Sequence, residues 1–385
     1  MSIITSLLDT DLYKLSMAQL VFHQFSSAVV EYRFKLRNKG IDLTPYKEEI
    51  EKEIDELCKL KFKENELEYL KNLPFITQDY IELLRIMKLS RKFVIVDNTN
   101  GELSIKIKGP WFLVIYFEVA VLAIVNEVYF NAIKHKHNKE YIPPSAYNNL
   151  KNKIDLIKST DIKFADFGTR RRFSKAWHEE IIKILKEEIP NNFVGTSNVL
   201  FAMKYGVKPI GTFAHEMVQA GQAFTTLRNS QKFMLQKWAD EYRGQLGIAL
   251  SDTLGIDAFL KDFDLYFAKL YDGIRQDSGS PWEVADKVID HYLKLGIDPK
   301  TKTIVFSDGL DFDLALALHN KFKDEINTLF GIGTNLTNDC GYDPLQIVIK
   351  LTEVNGSPVA KLSDSSGKEM CKSVDYMNHL REVFK

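Results

Sequence analysis

Lys163-Phe164-Ala165-Asp166-Phe167-Gly168-Thr169-Arg170-Arg171-Arg172 is a short apolar segment that ends in an acid, a glycine and three cations. The same rhythm continues for about 170 residues. Apolar segments ending in Gly, Ser, Thr or Asp feed amphipathic helical stretches, in order Lys163–Phe167, Phe193–Val194, Pro209–Phe213, Leu246–Leu250, Gly273–Gln276, Thr303–Phe306 and Leu329–Ile332. Strand–helix alternation of this kind implies parallel strands with helical crossovers. Seven candidate strands favour a closed (β/α) barrel over an open doubly wound sheet, and in a barrel the chemistry gathers where strands run into the following loops.

The polar residues of this region sit at those ends. After Phe167 come three guanidinium groups, which pair bidentately with carboxylate or phosphate, beside an aromatic face that can hold a flat ring. Cations at a helix start oppose the macrodipole, so an anion site is the better reading than a solvated helix start. Gly195-Thr196-Ser197-Asn198 opens the next helix; taken alone, Ser197 reads as an N-cap, and it could also leave backbone donors for an anion. Gly211-Thr212-Phe213-Ala214-His215-Glu216 puts His215 at a helix start, where neutral imidazole is favoured and can act as base or nucleophile. Ser251-Asp252-Thr253, Arg275-Gln276-Asp277-Ser278-Gly279, Ser307-Asp308-Gly309 and Gly331-Ile332-Gly333-Thr334-Asn335 follow. Acidic groups at strand ends can meet sugar hydroxyls or Mg²⁺, and glycine-rich turns let backbone N–H groups close on phosphate. Each is also ordinary turn chemistry; their succession at consecutive strand ends carries the argument.

The flanking sequence differs. Thr44-Pro45 predicts an N-cap and N1 proline ahead of Ile50, Ile54 and Leu57 at helical spacing. Phe93–Val96 and Leu103–Ile107 flank Asn100-Gly101, a hairpin signal. The run after Gly109-Pro110 predicts a buried helix in which Glu118 needs a partner. Gln346–Val354, Asn355-Gly356 and Val359–Leu362 predict a second hairpin suited to the first sheet. These place a smaller mixed α+β domain at residues 1–130 plus 345–385 and the barrel at 131–344.

With 385 residues, 45% hydrophobic and 27% charged, the chain has the composition of an ordinary globular protein, and its net charge of −1 supplies no field for nucleic acid or anionic membrane. Cys58, Cys340 and Cys371 form no CxxC pair and fit a reducing compartment without disulfide or zinc. The N-terminus lacks signal-peptide features, and Trp111–Val125, interrupted by Glu118, reads as too short to span a bilayer. A cytoplasmic protein is expected. Lys134-His135-Lys136-His137-Asn138-Lys139 reads as a solvated basic turn. His178, His291, His319 and His379 lie in helical patterns with no ligand partner at useful spacing.

Asp11-Leu12-Tyr13-Lys14, Asp166-Phe167-Gly168-Thr169-Arg170-Arg171, Gly195–Asn198, Gly211-Thr212-x-Ala214-His215-Glu216, Arg275-x-Asp277-Ser278-Gly279, Ser307–Gly309 and Phe330–Thr334 together resemble the nicotinate phosphoribosyltransferase family from about Asp9 to Asp364. The resemblance implies an irregular α/β barrel with the smaller domain built from both termini. It implies a ligase-type transferase of NAD biosynthesis that makes nicotinate mononucleotide from nicotinate and phosphoribosyl pyrophosphate. ATP would be the co-substrate and Mg²⁺ the cofactor, with its ligands unassigned. It further implies a homodimer with sites at the interface, Tyr13 reaching the neighbouring subunit's pyridine site. Phe167 would stack on nicotinate with Arg170 close by, and Thr212 and Arg275 would bind nicotinate or its surroundings. Asp277 and Asp308 would face the ribose, with Gly309 beside them, and the turn of Gly331, Gly333 and Thr334 would hold the 5′-phosphate. His215 matches the histidine that the family phosphorylates, with Asp277 the other catalytic residue. Related nicotinamide enzymes carry aspartate where Ser197 stands, which favours nicotinate here over nicotinamide. A quinolinate-type enzyme is disfavoured by His215 and by chain length.

Overall fold

The computed structural model describes residues 2–136, 142–362, 364 and 370–385. Six of the seven predicted segments form one parallel sheet of order β5-β4-β9-β8-β7-β6. Its strands are β4 (Phe164–Asp166), β5 (Phe193–Thr196), β6 (Ile248–Leu250), β7 (Gly273–Gln276), β8 (Thr303–Phe306) and β9 (Asn327–Ile332). Most of their side chains are buried, as expected when helices cover both faces of a parallel sheet.

The seventh segment, Pro209–Phe213, is not a regular strand. It makes a single bridge, Thr196 to Pro209, with Thr196 N–H donating to Lys208 O (3.1 Å) and Ile210 N–H to Thr196 O (2.9 Å). Pro209 has no N–H for a ladder. Backbone approaches so closely here that a Cβ on Gly195, whose φ is +150°, would lie 2.1 Å from Lys208 O. On its other side the segment reaches β6, where the Thr212 hydroxyl donates to Ile248 O at 2.8 Å. It therefore lies between the two outer strands of the sheet.

Strands from both ends of the chain share an antiparallel sheet of order β11-β10-β1-β3-β2. It comprises β1 (Val29–Leu36), β2 (Val94–Thr99), β3 (Glu102–Pro110), β10 (Ile347–Val354) and β11 (Ser357–Pro358). Asn100 (φ 55°) and Gly101 (φ 80°) make the predicted turn between β2 and β3. The second hairpin turns at Asn355-Gly356 as expected, but its returning arm is shorter than predicted. Val359 N–H still donates to Thr352 O of β10, and after it the chain leaves the sheet: Ala360 N–H donates to the Gln222 side chain and Leu362 N–H to Thr253 O. That departure carries Lys361 to the carboxyl ends of the parallel strands.

The helix Lys47–Leu57 buries Ile50, Ile54 and Leu57, but it is entered through a 3-10 turn at Thr44–Tyr46 rather than by a Thr44 cap. Trp111–Lys134 corrects the reading of a run too short for a bilayer. At 24 residues and mean hydropathy 1.9 it could cross one by length and composition, yet 89% of its most apolar window is buried inside the fold. It is a core helix, apolar on all sides because it is surrounded. Lys134 is buried with its ammonium 4.9 Å from the Phe173 ring centroid rather than in a solvated turn; residues 137–139 of that stretch lie outside the described residues.

The N-terminal segment is bolted to the parallel sheet. Leu12 N–H donates to Ser197 O, and Arg172 holds Asp9 by two bonds of 2.6 and 2.9 Å with both side chains fully buried. Burial opposes ionisation of Asp9, but Arg172 prevails and holds the carboxyl well below the usual range. Removing one partner of such a pair leaves an uncompensated buried charge. Arg172→Met should therefore lower the unfolding free energy by about 3–5 kcal/mol in denaturant titrations at neutral pH; a loss under about 1 kcal/mol would contradict the role given to this pair.

Candidate active site

His215 is the first residue of the helix His215–Gly221. Three elements converge on its imidazole. Asp252, just beyond β6, places Oδ1 3.0 Å from Nε2; Asp277, just beyond β7, places Oδ2 3.5 Å away; Lys361 brings Nζ to 2.7 Å. Lys361 also donates to Asp252 Oδ2 at 2.6 Å, which accepts the Ser278 hydroxyl at 2.5 Å. Asp277 accepts from the Ser307 hydroxyl at 2.8 Å, and Arg275 Nη2 stands 4.0 Å from it.

Burial, and then the Lys361 ammonium, push the His215 imidazole down to about 4 against the pull of Asp252. The ring is thus neutral at pH 7. A neutral ring satisfies only one of its two Nε2 neighbours through that atom, so the position of Lys361 sets whether Nε2 offers a lone pair. Burial opposes ionisation of Asp252 and of Asp277, but His215 and Lys361 hold Asp252 well below the ordinary carboxylate range. Arg275 and His215 lower Asp277. His215, Asp252 and Asp277 each offer a ligand atom within 4.8 Å of the others. For Mg²⁺, which prefers oxygen, the imidazole is a poor donor and Asp252 is already engaged; Asp277 is the carboxylate best suited to a metal that arrives on a substrate phosphate.

A second group of residues faces an aromatic ring. Phe167 follows β4, its N–H donating to Ile332 O, and its ring lies so close to Gly331 that a Cβ there would come within 2.3 Å. Gly331, expected in a phosphate turn, thus first seats this ring. Of the three predicted anion-binding arginines only Arg170 is left for that task. Arg172 is spent on Asp9, and Arg171 donates to Ile347 O and the Gln346 side chain of the C-terminal segment. None lies on an α-helix start: Thr169–Arg171 is a 3-10 turn, and the helix Lys175–Glu188 is capped by Ser174. The guanidinium of Arg170 has its nearest carboxylates, Glu118 and Asp11, at 3.7 and 4.0 Å, beyond hydrogen-bond distance. It lies 5.9 Å from the Tyr13 ring centroid of the same chain. Tyr13 Oη and Arg275 Nε are buried without a hydrogen-bond partner among the described residues.

Ser197 is not the cap of its helix; Asn198 is, and the Ser197 hydroxyl donates to Asp11 Oδ1 at 2.7 Å. His178, read as partnerless, is fully buried and meets Asp166 Oδ2 at 2.6 Å, an oxygen that also accepts from Thr196. This ties the ends of β4 and β5 together beneath Phe167. Thr212 lines the segment before His215 with its hydroxyl taken by β6. Asp308 and Gly309 follow β8, and Gly333 and Thr334 follow β9, on neighbouring strands of the sheet. Sequence reasoning missed Lys361 and Lys350. Lys350 sits on β10, where burial and then Lys361 push its ammonium down to about 7. Both lay inside a hairpin whose apolar alternation gave no sign of a site.

Comparison with known proteins follows the same outline. The chain matches the model of the nicotinate phosphoribosyltransferase (NAPRTase) family over residues 162–385 and that of the family's N-terminal domain over residues 8–126. It is 50% identical over 390 residues to nicotinate phosphoribosyltransferase of Burkholderia mallei, covering 99% of this chain and 97% of the relative. It is 51% identical over 397 residues to that of an Acidovorax species, covering 99% and 98%. The crystal structure of nicotinate phosphoribosyltransferase from Vibrio cholerae superposes with a TM-score of 0.94 at 39% identity, covering 99% of this chain and 94% of that one.

The imidazole environment makes a pH prediction. In the unfolded chain His215 binds a proton below about 6.5, whereas in the folded chain it does so only near 4. Stability should therefore fall as pH drops through that window, by about 3 kcal/mol or less, and His215→Gln should lack that slope. An NMR titration placing the folded His215 at or above its ordinary value would overturn the assignment.

Proposed function

The chain belongs to the nicotinate phosphoribosyltransferase family and is an enzyme of that kind, and from this premise we propose that it couples transfer of phosphoribose onto nicotinate to ATP hydrolysis through a phosphorylated His215. The observation that carries the proposal is the buried neutral imidazole held between Lys361, Asp252 and Asp277. Its unprotonated nitrogen attacks the γ-phosphorus of ATP, the bond to the ADP oxygen breaks, and water later cleaves the P–N bond. Phosphorylation turns a neutral ring into an anion that draws Lys361 and neighbouring basic groups towards the pyrophosphate site.

In the transfer step the pyridine nitrogen is itself the nucleophile. The C1′–N bond forms as the C1′–oxygen bond to pyrophosphate breaks, through an oxocarbenium-like state. No protein nucleophile is required on the sugar; positioning and electrostatics do the work. Phe167 offers its ring face to the pyridine, and Arg170, with no hydrogen-bonded carboxylate among the described residues, donates to the nicotinate carboxylate. Tyr13, Ser197, Thr212 and Arg275 line the remainder. Asp277 and Asp308 face the ribose, while Gly309, Gly331, Gly333 and Thr334 frame the 5′-phosphate turn. Mg²⁺ carried by phosphoribosyl pyrophosphate would neutralise charge on the departing group, with Asp277 the residue fitted to meet it.

The way Pro209–Phe213 joins β5 on one side and β6 on the other supports an irregular barrel at 131–344, with 1–130 and 345–385 as the smaller domain. We place the enzyme in the cytoplasm as a homodimer. Its active sites lie at the subunit interface, with Tyr13 reaching towards the neighbouring subunit's pyridine site.

Product formation from nicotinate and from nicotinamide, each with phosphoribosyl pyrophosphate, ATP and Mg²⁺, tests the reading. Nicotinate should be strongly preferred; preference for nicotinamide, or turnover of neither, would sink it. Ser197→Asp should cut kcat/KM for nicotinate by about a hundredfold or more, because two carboxylates about 4 Å apart at an effective dielectric of about 20 repel by about 4 kcal/mol.

A further inference from the structure

Lys14 and Glu216 fall within motifs that point to this family, yet nothing so far gives either a task. Nor does the site described above use Glu118, the acid in an apolar helix that needs a partner. The structure brings the three together. Lys14 is wholly buried, with Nζ 2.5 Å from Glu118 Oε2 and 2.6 Å from Glu216 Oε2. Its ammonium also lies 5.6 and 5.7 Å from the ring centroids of Tyr13 and Tyr32, and the Tyr32 hydroxyl donates to Glu216 Oε1 at 3.4 Å.

Each carboxylate leads to a different half of the site. Glu118 Oε1 stands 3.7 Å from Arg170 Nη1, beside the proposed pyridine pocket. Glu216 is the residue after His215, on the same short helix. Lys14 follows Tyr13 on the helix Leu12–Gln24. One ammonium therefore links three helices and the loop that carries Arg170. Lys14 and its two carboxylates carry a net charge of −1, with the Arg170 guanidinium near Glu118. A buried cluster of this composition is seldom kept for stability alone, since well-packed apolar side chains would do as well; its distinctive property is to fix one geometry.

We propose that Lys14 is a positioning residue that ties Arg170, through Glu118, to His215, through Glu216, and so sets the two halves of the site at a fixed separation. It touches neither substrate nor reacting atoms. The proposal rests on the roles given to Arg170 and His215 above. Severing one arm should disturb one half only. Severing Lys14 should disturb both.

The test is steady-state nicotinate mononucleotide formation by the full-length enzyme with ATP and Mg²⁺, alongside melting temperatures. Glu118→Gln, which leaves Lys14 paired with Glu216, should raise KM for nicotinate about tenfold with kcat within about twofold. Glu216→Gln should lower kcat about tenfold with KM for nicotinate within about twofold, and Lys14→Met should do both. If Lys14→Met fails to fold, the two carboxamide variants decide the matter, since each keeps the size of the side chain it replaces. Folded carboxamide variants with unchanged kinetics, or variants that both alter the same constant, would overturn the proposal. So would loss of folding in both, which would mark the cluster as a packing device. An inactive wild-type enzyme would instead count against the function proposed above.

Discussion

The contact of Lys361 with both His215 and Asp252 is the constraint on which the site depends, because it joins parts of the chain more than a hundred residues apart. Four ionisable groups lie within a few ångströms of one another and largely out of water. None could stay there unless the others set its protonation state: the ammonium and the carboxylates compensate each other, and the imidazole is left neutral. Asp252 and Asp277 arrive on the ends of β6 and β7, whereas Lys361 arrives on a strap that has just left the antiparallel sheet. The site therefore exists only when the C-terminal strands are docked, and that docking rests on β10 pairing along the length of β1.

The other half of the site uses the opposite device. Here, among the described residues, the Arg170 guanidinium has no hydrogen-bonded acid, the Tyr13 hydroxyl is unpaired, and the Phe167 ring is laid against the Gly331 backbone. Arg172 and Asp9 differ from them: two short bonds join the guanidinium to the carboxylate, and neither side chain is exposed. The turn thus uses Arg172 to hold the N-terminal segment, while Arg170 has no hydrogen-bonded carboxylate among the described residues.

Much of this could be read from the sequence wherever the signal is local. The strand ends, the helix start at His215 and both Asn-Gly turns depend on a few neighbouring residues, and the structure places them as expected. Glu118 advertised its need for a partner by sitting in an apolar run, but the identity of that partner, Lys14, depends on how helices cross. Arg170, Arg171 and Arg172 are chemically identical in sequence; only the fold divides them into a neighbour of Glu118 and Asp11, a clamp on β10 and a buried counter-ion. Lys361 was hidden for a different reason. The alternation of Val359, Ala360, Lys361 and Leu362 suits a strand, and nothing local tells that the chain turns away from its sheet after Val359. Pro209–Phe213 erred in the same direction, since its apolar content suits a strand while Pro209 and the crowding at Gly195 restrict it to one bridge.

The central claim is that the imidazole of His215 carries phosphate. Incubation with γ-labelled ATP and Mg²⁺, followed by acid and base treatment of the isolated protein, measures it directly. The account predicts a label that is stable in base, lost in acid and absent from His215→Ala. A label that persists at full level in His215→Ala, or no label on active wild-type enzyme, would contradict it.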